Sequence, residues 1–298
     1  MSDSRVQHDC RDQVTAATRR NLLRGAAAMA VAGGVARASI ARAAPSSLWE
    51  QIDSTGTLRV AVISHRPPYI YDDDGGYKGF SIVMAQDLAK ALEVAMEKPI
   101  RVEWIITTWP TAVLDIQSGK ADIFFGFAFS PERAKAIDLI GPLYEVPEVA
   151  VLGPTSKVGD KWSDLDKPDV TVTAAMGTTD EQAGRKYLPH ATMRAMKTFN
   201  DAVLDLQSGN ATALITSAII AFGTLATNPN LTNVEVLKPV VSGPSGAGCR
   251  KDGDGRFFAF CQGFSWVYRH SGMSKKVILE SMQALGMSMS KVPSDIQF

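Results

Sequence analysis

Apolar and polar positions alternate first at Leu58-Arg-Val-Ala-Val-Ile, a β-branched run that predicts a strand. Ile70-Tyr71 and Tyr77-Lys78-Gly79-Phe80 then flank the turn-rich segment Asp72-Asp73-Asp74-Gly75-Gly76. Beyond it the period changes. Ile82, Val83, Ala85, Leu88, Ala89 and Leu92 recur at helical spacing, with Ser81 placed to cap. Strands and helices continue to alternate, which predicts an α/β body with mostly parallel sheets.

An internal repeat sharpens that expectation. Residues 109–122, Trp-Pro-Thr-Ala-Val-Leu-Asp-Ile-Gln-Ser-Gly-Lys-Ala-Asp, are echoed by residues 199–212, Phe-Asn-Asp-Ala-Val-Leu-Asp-Leu-Gln-Ser-Gly-Asn-Ala-Thr. Each copy reads as a short amphipathic helix stopped by a glycine (Gly119, Gly209), followed at once by a strand over 123–127 or 213–216. Two copies are too few for a solenoid, and they suit a pair of similar α/β lobes.

Ligands of open α/β sheets sit beyond the carboxyl ends of the strands, so the residues just after the repeat strands are the places to look. After the first, Ser130 can cap and Pro131 can open a helix, which puts Arg133 in the first turn, where the helix dipole disfavours a cation. A negative ligand would relieve that conflict; so would pairing with Glu132 or Asp138, and position alone leaves both open. In the second half, a strand over 170–175 ends in Met176-Gly177-Thr178-Thr179 before a helix near Asp180. Thr178 with Glu181, or Thr179 with Gln182, fits a capping box, and the exposed N–H groups fit a small anion receptor.

Charge divides the chain. Residues 1–43 hold seven arginines, no lysine and three aspartates, so the remainder carries 24 basic and 28 acidic residues. That excludes a basic nucleic-acid-binding domain, and 45% hydrophobic residues exclude a disordered polyelectrolyte. The basic head contains Arg19-Arg20, a Gly- and Ala-rich run over 25–36 and Ala41-Arg42-Ala43, in the order of a twin-arginine export signal cleaved after Ala43. The expected location is therefore the periplasm. Asp72 to Gly75 and Asp252 to Gly255 look like calcium loops, but Val83 stands where the bidentate glutamate would be, and turn chemistry explains both. Cys249 and Cys261 could pair or remain buried thiols. No metal or other cofactor is implied.

From Leu58 onward the chain resembles the type II periplasmic solute-binding proteins of the polar amino acid family, the receptors of ABC importers. The residues that carry the resemblance are Leu58-Arg-Val-Ala-Val, Pro68-Tyr69, Lys78-Gly79-Phe80, the Leu114 to Asp122 segment, Ser130-Pro-Glu-Arg-Ala-Lys-Ala-Ile-Asp138, Pro142-Leu-Tyr144 and Gly177-Thr178. The resemblance implies two lobes, one of residues 44–145 plus 243–298 and one of residues 146–242. Two crossing strands would join them, near Glu145 to Glu148 and near Val240 to Gly243. It implies that Arg133 holds a ligand carboxylate, that Ala128 and Ser130 add backbone or hydroxyl contacts, and that Gly177, Thr178 and Thr179 form the second-lobe receptor. Trp109, Arg66 and Tyr69 would wall the pocket. The implied partners are a small carboxylate-bearing molecule and an inner-membrane ABC permease, with the protein a monomer.

One departure bears on the ligand. The aspartate that usually pairs with an amino acid's ammonium is replaced by Ser217 here, and a hydroxyl does not neutralise a buried cation. Either another acid moves in, with Asp180, Glu145 and Asp201 as candidates, or the ligand lacks a free α-ammonium. A modified or acylated amino acid is favoured, with an ordinary amino acid close behind. The family threonine expected at Ala128 is missing too. The same fold hosts cyclohexadienyl dehydratase-like enzymes, for which Glu145 or Glu148 would be the suspected acid; a sensor subunit for a membrane receptor leaves no distinct mark.

Overall fold

The computed structural model describes residues 47–287 apart from positions 65, 74 and 232, so residues 1–43, expected from their sequence to be an export signal, lie outside the described residues. The described part opens with helix α1 (Leu48–Thr55) and strand β1 (Thr57–Val62), then the short hairpin β2 (Tyr71–Asp73) and β3 (Gly76–Lys78). Helix α2 (Phe80–Met96), β4 (Arg101–Ile106), α3 (Ala112–Gln117), β5 (Ile123–Ala128), α4 (Pro131–Ala136) and the 15-residue β6 (Asp138–Leu152) follow. The second half contains α5 (Trp162–Leu165), β7 (Thr171–Ala175), α6 (Thr179–Tyr187), β8 (Thr192–Met196), α7 (Phe199–Gln207), β9 (Ala213–Ser217), α8 (Ala218–Thr227) and β10 (Val234–Glu235). Strand β11 (Ser242–Cys249) and helices α9 (Arg256–His270) and α10 (Met273–Ala284) complete it.

The repeat governs the architecture. In the strand order β4-β1-β5-β11-β6-β9-β7-β8, β1 lies between β4 and β5, β7 lies between β9 and β8, and each of these triplets is parallel. Repeat helices α3 and α7 occupy equivalent places, each feeding the strand after it through a glycine at φ 74° or 75°. Between the triplets run β6 and β11, antiparallel to each other. Strand β6 pairs with β11 over Asp138 to Pro147 and with β9 over Glu148 to Leu152, so its pairing passes from the first triplet's side to the second's.

Local sequence accounts for most of these elements. Apolar residues of α2 recur on one face, and Phe80, Met84, Leu88 and Leu92 are fully buried, each worth about 1.5–3 kcal/mol. A separate cluster around Trp162, Leu165, Val172, Leu188, Ile215 and Leu237 fills the second half. The expectation for Ser81 needs correction: α2 starts at Phe80, and Ser81 is buried inside its first turn. Carbonyls of the preceding loop do the capping, with Phe80 N donating to Pro68 O and Ser81 N to Tyr69 O. Cys249 and Cys261 are buried free thiols. The Asp252 carboxylate accepts from Leu48, Asp254 and Gly255 N–H groups, which accounts for that acidic turn. Among the described residues no helix is long and apolar enough to cross a membrane.

Candidate functional site

The loop after β1 is pinned from both sides. Arg66 and Ile70 exchange backbone hydrogen bonds at 2.7 and 3.0 Å, and the α2 N-terminus docks onto the carbonyls of Pro68 and Tyr69. Gly79 makes this possible: it has φ 116°, and a Cβ there would lie 2.2 Å from Tyr69 O. Arg66 is held in turn. Its guanidinium lies over the rings of Trp109, at 4.5 Å, and Phe199, at 4.9 Å, and one nitrogen is 3.7 Å from Asp180 Oδ2. Nε and Nη1 have no hydrogen-bond partner among the described residues, although the residue is only 4% exposed.

Ser130 caps α4, accepting from Arg133 N at 3.3 Å, and Pro131 opens the helix. The Arg133 side chain then turns away from Glu132 and Asp138. Nη1 donates to Ala128 O at 2.7 Å, and Nη2 donates to Gly177 O at 3.1 Å, reaching from one half of the molecule to the other. Ala128 thus offers its carbonyl to the arginine. Burial pulls the Arg133 pKa down to about 10 and lowers that of Arg66 as well.

At the start of α6, Thr178 Oγ1 accepts from Glu181 N and donates to Ala175 O, while Glu181 Oε2 accepts from Gly177 N at 2.8 Å. Of the two boxes the spacing allowed, the Thr178–Glu181 pair forms in part, the Glu181 carboxylate taking the N–H of Gly177 and not that of the capping Thr178. It spends the Gly177 N–H and the Thr178 hydroxyl within the chain, leaving the first-turn N–H groups at Thr179 and Asp180, which have no intrahelical acceptor.

These elements enclose a cavity of about 320 Å³. Nine of the ten expected residues line it: Arg66, Tyr69, Trp109, Ala128, Ser130, Arg133, Thr178, Thr179 and Ser217. Gly177 does not, and joins the site only through its carbonyl on Arg133. The volume is at the small end of the range for small-molecule sites.

Of the three acids considered as replacements at the Ser217 position, only Asp180 faces the cavity, 4% exposed and accepting from Thr216 Oγ1 at 3.2 Å. Glu145 is exposed and pairs with Arg269 at 3.1 Å, and Asp201 closes a capping box with Thr198. A second acid stands in the cavity. Glu148, weighed above only as an enzymatic acid, lies directly opposite Ser217 in the antiparallel register of β6 and β9. Its mark in the sequence is a lone acid next to the apolar run Val149-Ala-Val-Leu. Burial, and then the neighbouring Asp180 carboxyl, hold Glu148 well above the usual carboxylate range. Burial also raises Asp180, opposed by the Arg66 charge.

A family model for bacterial extracellular solute-binding proteins, family 3, matches residues 58–235. Among relatives, the chain is 27% identical over 205 residues to a cyclohexadienyl dehydratase of Pseudomonas aeruginosa, covering 68% of this chain and 74% of that one. It is also 27% identical over 205 residues to the L-cystine-binding protein TcyJ of Escherichia coli K12, covering 68% and 73%. Among solved structures, an ancestral amino-acid-binding protein, named as a precursor of cyclohexadienyl dehydratase, superposes with a TM-score of 0.68 at 29% identity. That match covers 79% of this chain and all of that one.

Proposed function

The chain belongs to the bacterial extracellular solute-binding proteins, family 3, and from that premise we propose that it captures a small carboxylate-bearing solute, an amino acid or a modified amino acid, for an ABC permease. The observation that carries this reading is Arg133: a buried guanidinium lining a solute-sized cavity, hydrogen-bonded to two carbonyls and, among the described residues, ion-paired with no carboxylate. A carboxylate replacing one of those weak acceptors gains a charge-assisted hydrogen bond. Residues 44–145 with 243–298 form one lobe and residues 146–242 the other, with β6 and β11 as the connection. The change of β6 pairing partner at Glu148 and the cross-cavity contact of Arg133 with Gly177 support that division. Ligand bridging the lobes favours their closed arrangement, the form an importer recognises. The protein acts as a monomer in the periplasm, delivered there by the Arg19-Arg20 segment.

Titration calorimetry of purified protein with amino acids and organic acids tests the reading. Arg133→Lys keeps the charge but loses the planar fork, and it weakens binding by about 1.5–3 kcal/mol, roughly 10- to 150-fold. Unchanged affinity removes Arg133 from the site.

A second reading has one observation in its favour. Glu148 faces the same cavity with its carboxyl held by burial well above the usual carboxylate range, and one relative bears the name of a dehydratase. Prephenate turnover by the purified protein separates the two readings.

A further inference from the structure

Resting on the binding reading above, we propose that Glu148 replaces the missing aspartate of the β9 position as the receptor for a ligand amino group, and that the site exchanges a proton for that group when it takes up an amino acid. The register makes the replacement direct. Residues opposite each other on an antiparallel pair project from the same face with Cβ atoms about 4.5–5.5 Å apart. Glu148 is opposite Ser217, so the acid has moved one strand across and gained a methylene, and the serine provides the room.

Three unsatisfied groups mark the place. Glu148 Oε2 is buried without a donor, Ser217 Oγ is partnerless in a residue 8% exposed, and Arg66 leaves two nitrogens unused. The groups facing Glu148 are Asp180 on α6, with Lys186 farther along that helix, Arg66 and Tyr69 on the loop after β1, and Ser217 on β9; Arg133 stands across the cavity. Asp180 is already committed to Arg66 and Thr216. Glu148 itself lies within hydrogen-bonding reach of Asp180, and its unpartnered Oε2 remains for an incoming donor.

Charge balance gives the proton its direction. Among the buried groups, with Lys186 left exposed at the edge of the cavity, Arg66 and Arg133 against Asp180 leave one positive charge when Glu148 is protonated, the complement of a simple carboxylate. With Glu148 ionised those buried charges balance, the complement of a zwitterion. An ammonium placed against Glu148 thus expels its proton to solvent, and both the ligand and the carboxyl end in their ionised forms. Burial and the Asp180 carboxyl raise the Glu148 pKa in the free protein, so amino-acid affinity rises with pH until the free protein loses the proton unaided. A desamino acid leaves the proton in place.

The test is calorimetry on the mature protein with each of the twenty L-amino acids and the desamino analogue of any that binds, in buffers of different ionisation enthalpy. The expected result is release of about one proton per amino acid bound, an affinity rising up to about tenfold per pH unit, and no release with the desamino analogue. Glu148→Gln lowers the ratio of amino-acid to desamino affinity, by roughly 100-fold. Amino-acid binding that is flat with pH and releases no proton overturns the proposal while leaving the binding reading intact; so does an unchanged ratio in a folded Glu148→Gln protein. Failure of every carboxylate to bind overturns the binding reading itself, and this proposal with it. The proton count uses the unsubstituted protein and decides the matter even where the variant does not fold.

Discussion

Gly223→Ala separates lobe closure from fold stability. Gly223 is buried in α8, and a Cβ there would lie 2.3 Å from Pro67 O, 2.7 Å from Pro67 C and 2.9 Å from Pro68 Cδ. Ordinary contact requires a retreat of about 1 Å, and the loop holding Pro67 is tied down by the Arg66–Ile70 and Phe80–Pro68 hydrogen bonds. Overpacking of this kind costs about 1–3 kcal/mol. Pro67 and Gly223 fall in different proposed lobes, so the cost applies only when the lobes close, and ligand affinity drops roughly 5- to 150-fold. The helical preference of alanine over glycine acts in the opposite sense, about 1 kcal/mol in favour of the variant, and is present whether the lobes are open or closed. It cancels from binding and raises the melting temperature of the ligand-free open protein by about 2–4 °C. Calorimetry and thermal melting on the same preparation read both quantities. Unchanged affinity with a lowered melting temperature refutes the reasoning, because the α8–Pro67 contact would then belong to the rigid fold and not to closure.

Two further outcomes are expected. Burial pushes the Cys249 thiol up to about 12 and Cys261 well above its ordinary value, so mass spectrometry after iodoacetamide treatment at pH 8 finds neither modified in folded protein and both modified in denaturant without reductant. Modification that requires reductant would mean a disulfide. Replacing Arg19 and Arg20 together with lysine abolishes export, measured as loss of the protein from the periplasmic fraction; undiminished secretion removes the twin-arginine assignment.

Much of the fold was legible because its signals are local. Helical spacing from Ile82 to Leu92, the capping pattern at Ser130-Pro131, and the paired glycines of the repeat each act over a few residues, and each forms where expected. Ser81 misled because a hydroxyl beside a helix start is the usual local cap, whereas here distant carbonyls fill that role. Arg133 was legible as a residue but not in its partners. Two carbonyls, one of them across the cavity on Gly177, took the place of the neighbouring acids that spacing offered.

The sequence alone determined the paired α/β units, the family resemblance and most of the residues that line the cavity. Tertiary structure decided which acids reach the cavity. Asp180, Glu145 and Asp201 were equivalent candidates along the chain, yet one faces the cavity, one meets Arg269 at the surface and one caps a helix. Glu148 gained its place from the register of β6 against β9, a pairing between distant segments. Periodicity fixes which face of its own element a side chain occupies. Only the packing of elements against one another fixes what that face meets, and so whether a carboxyl is solvated, paired or buried.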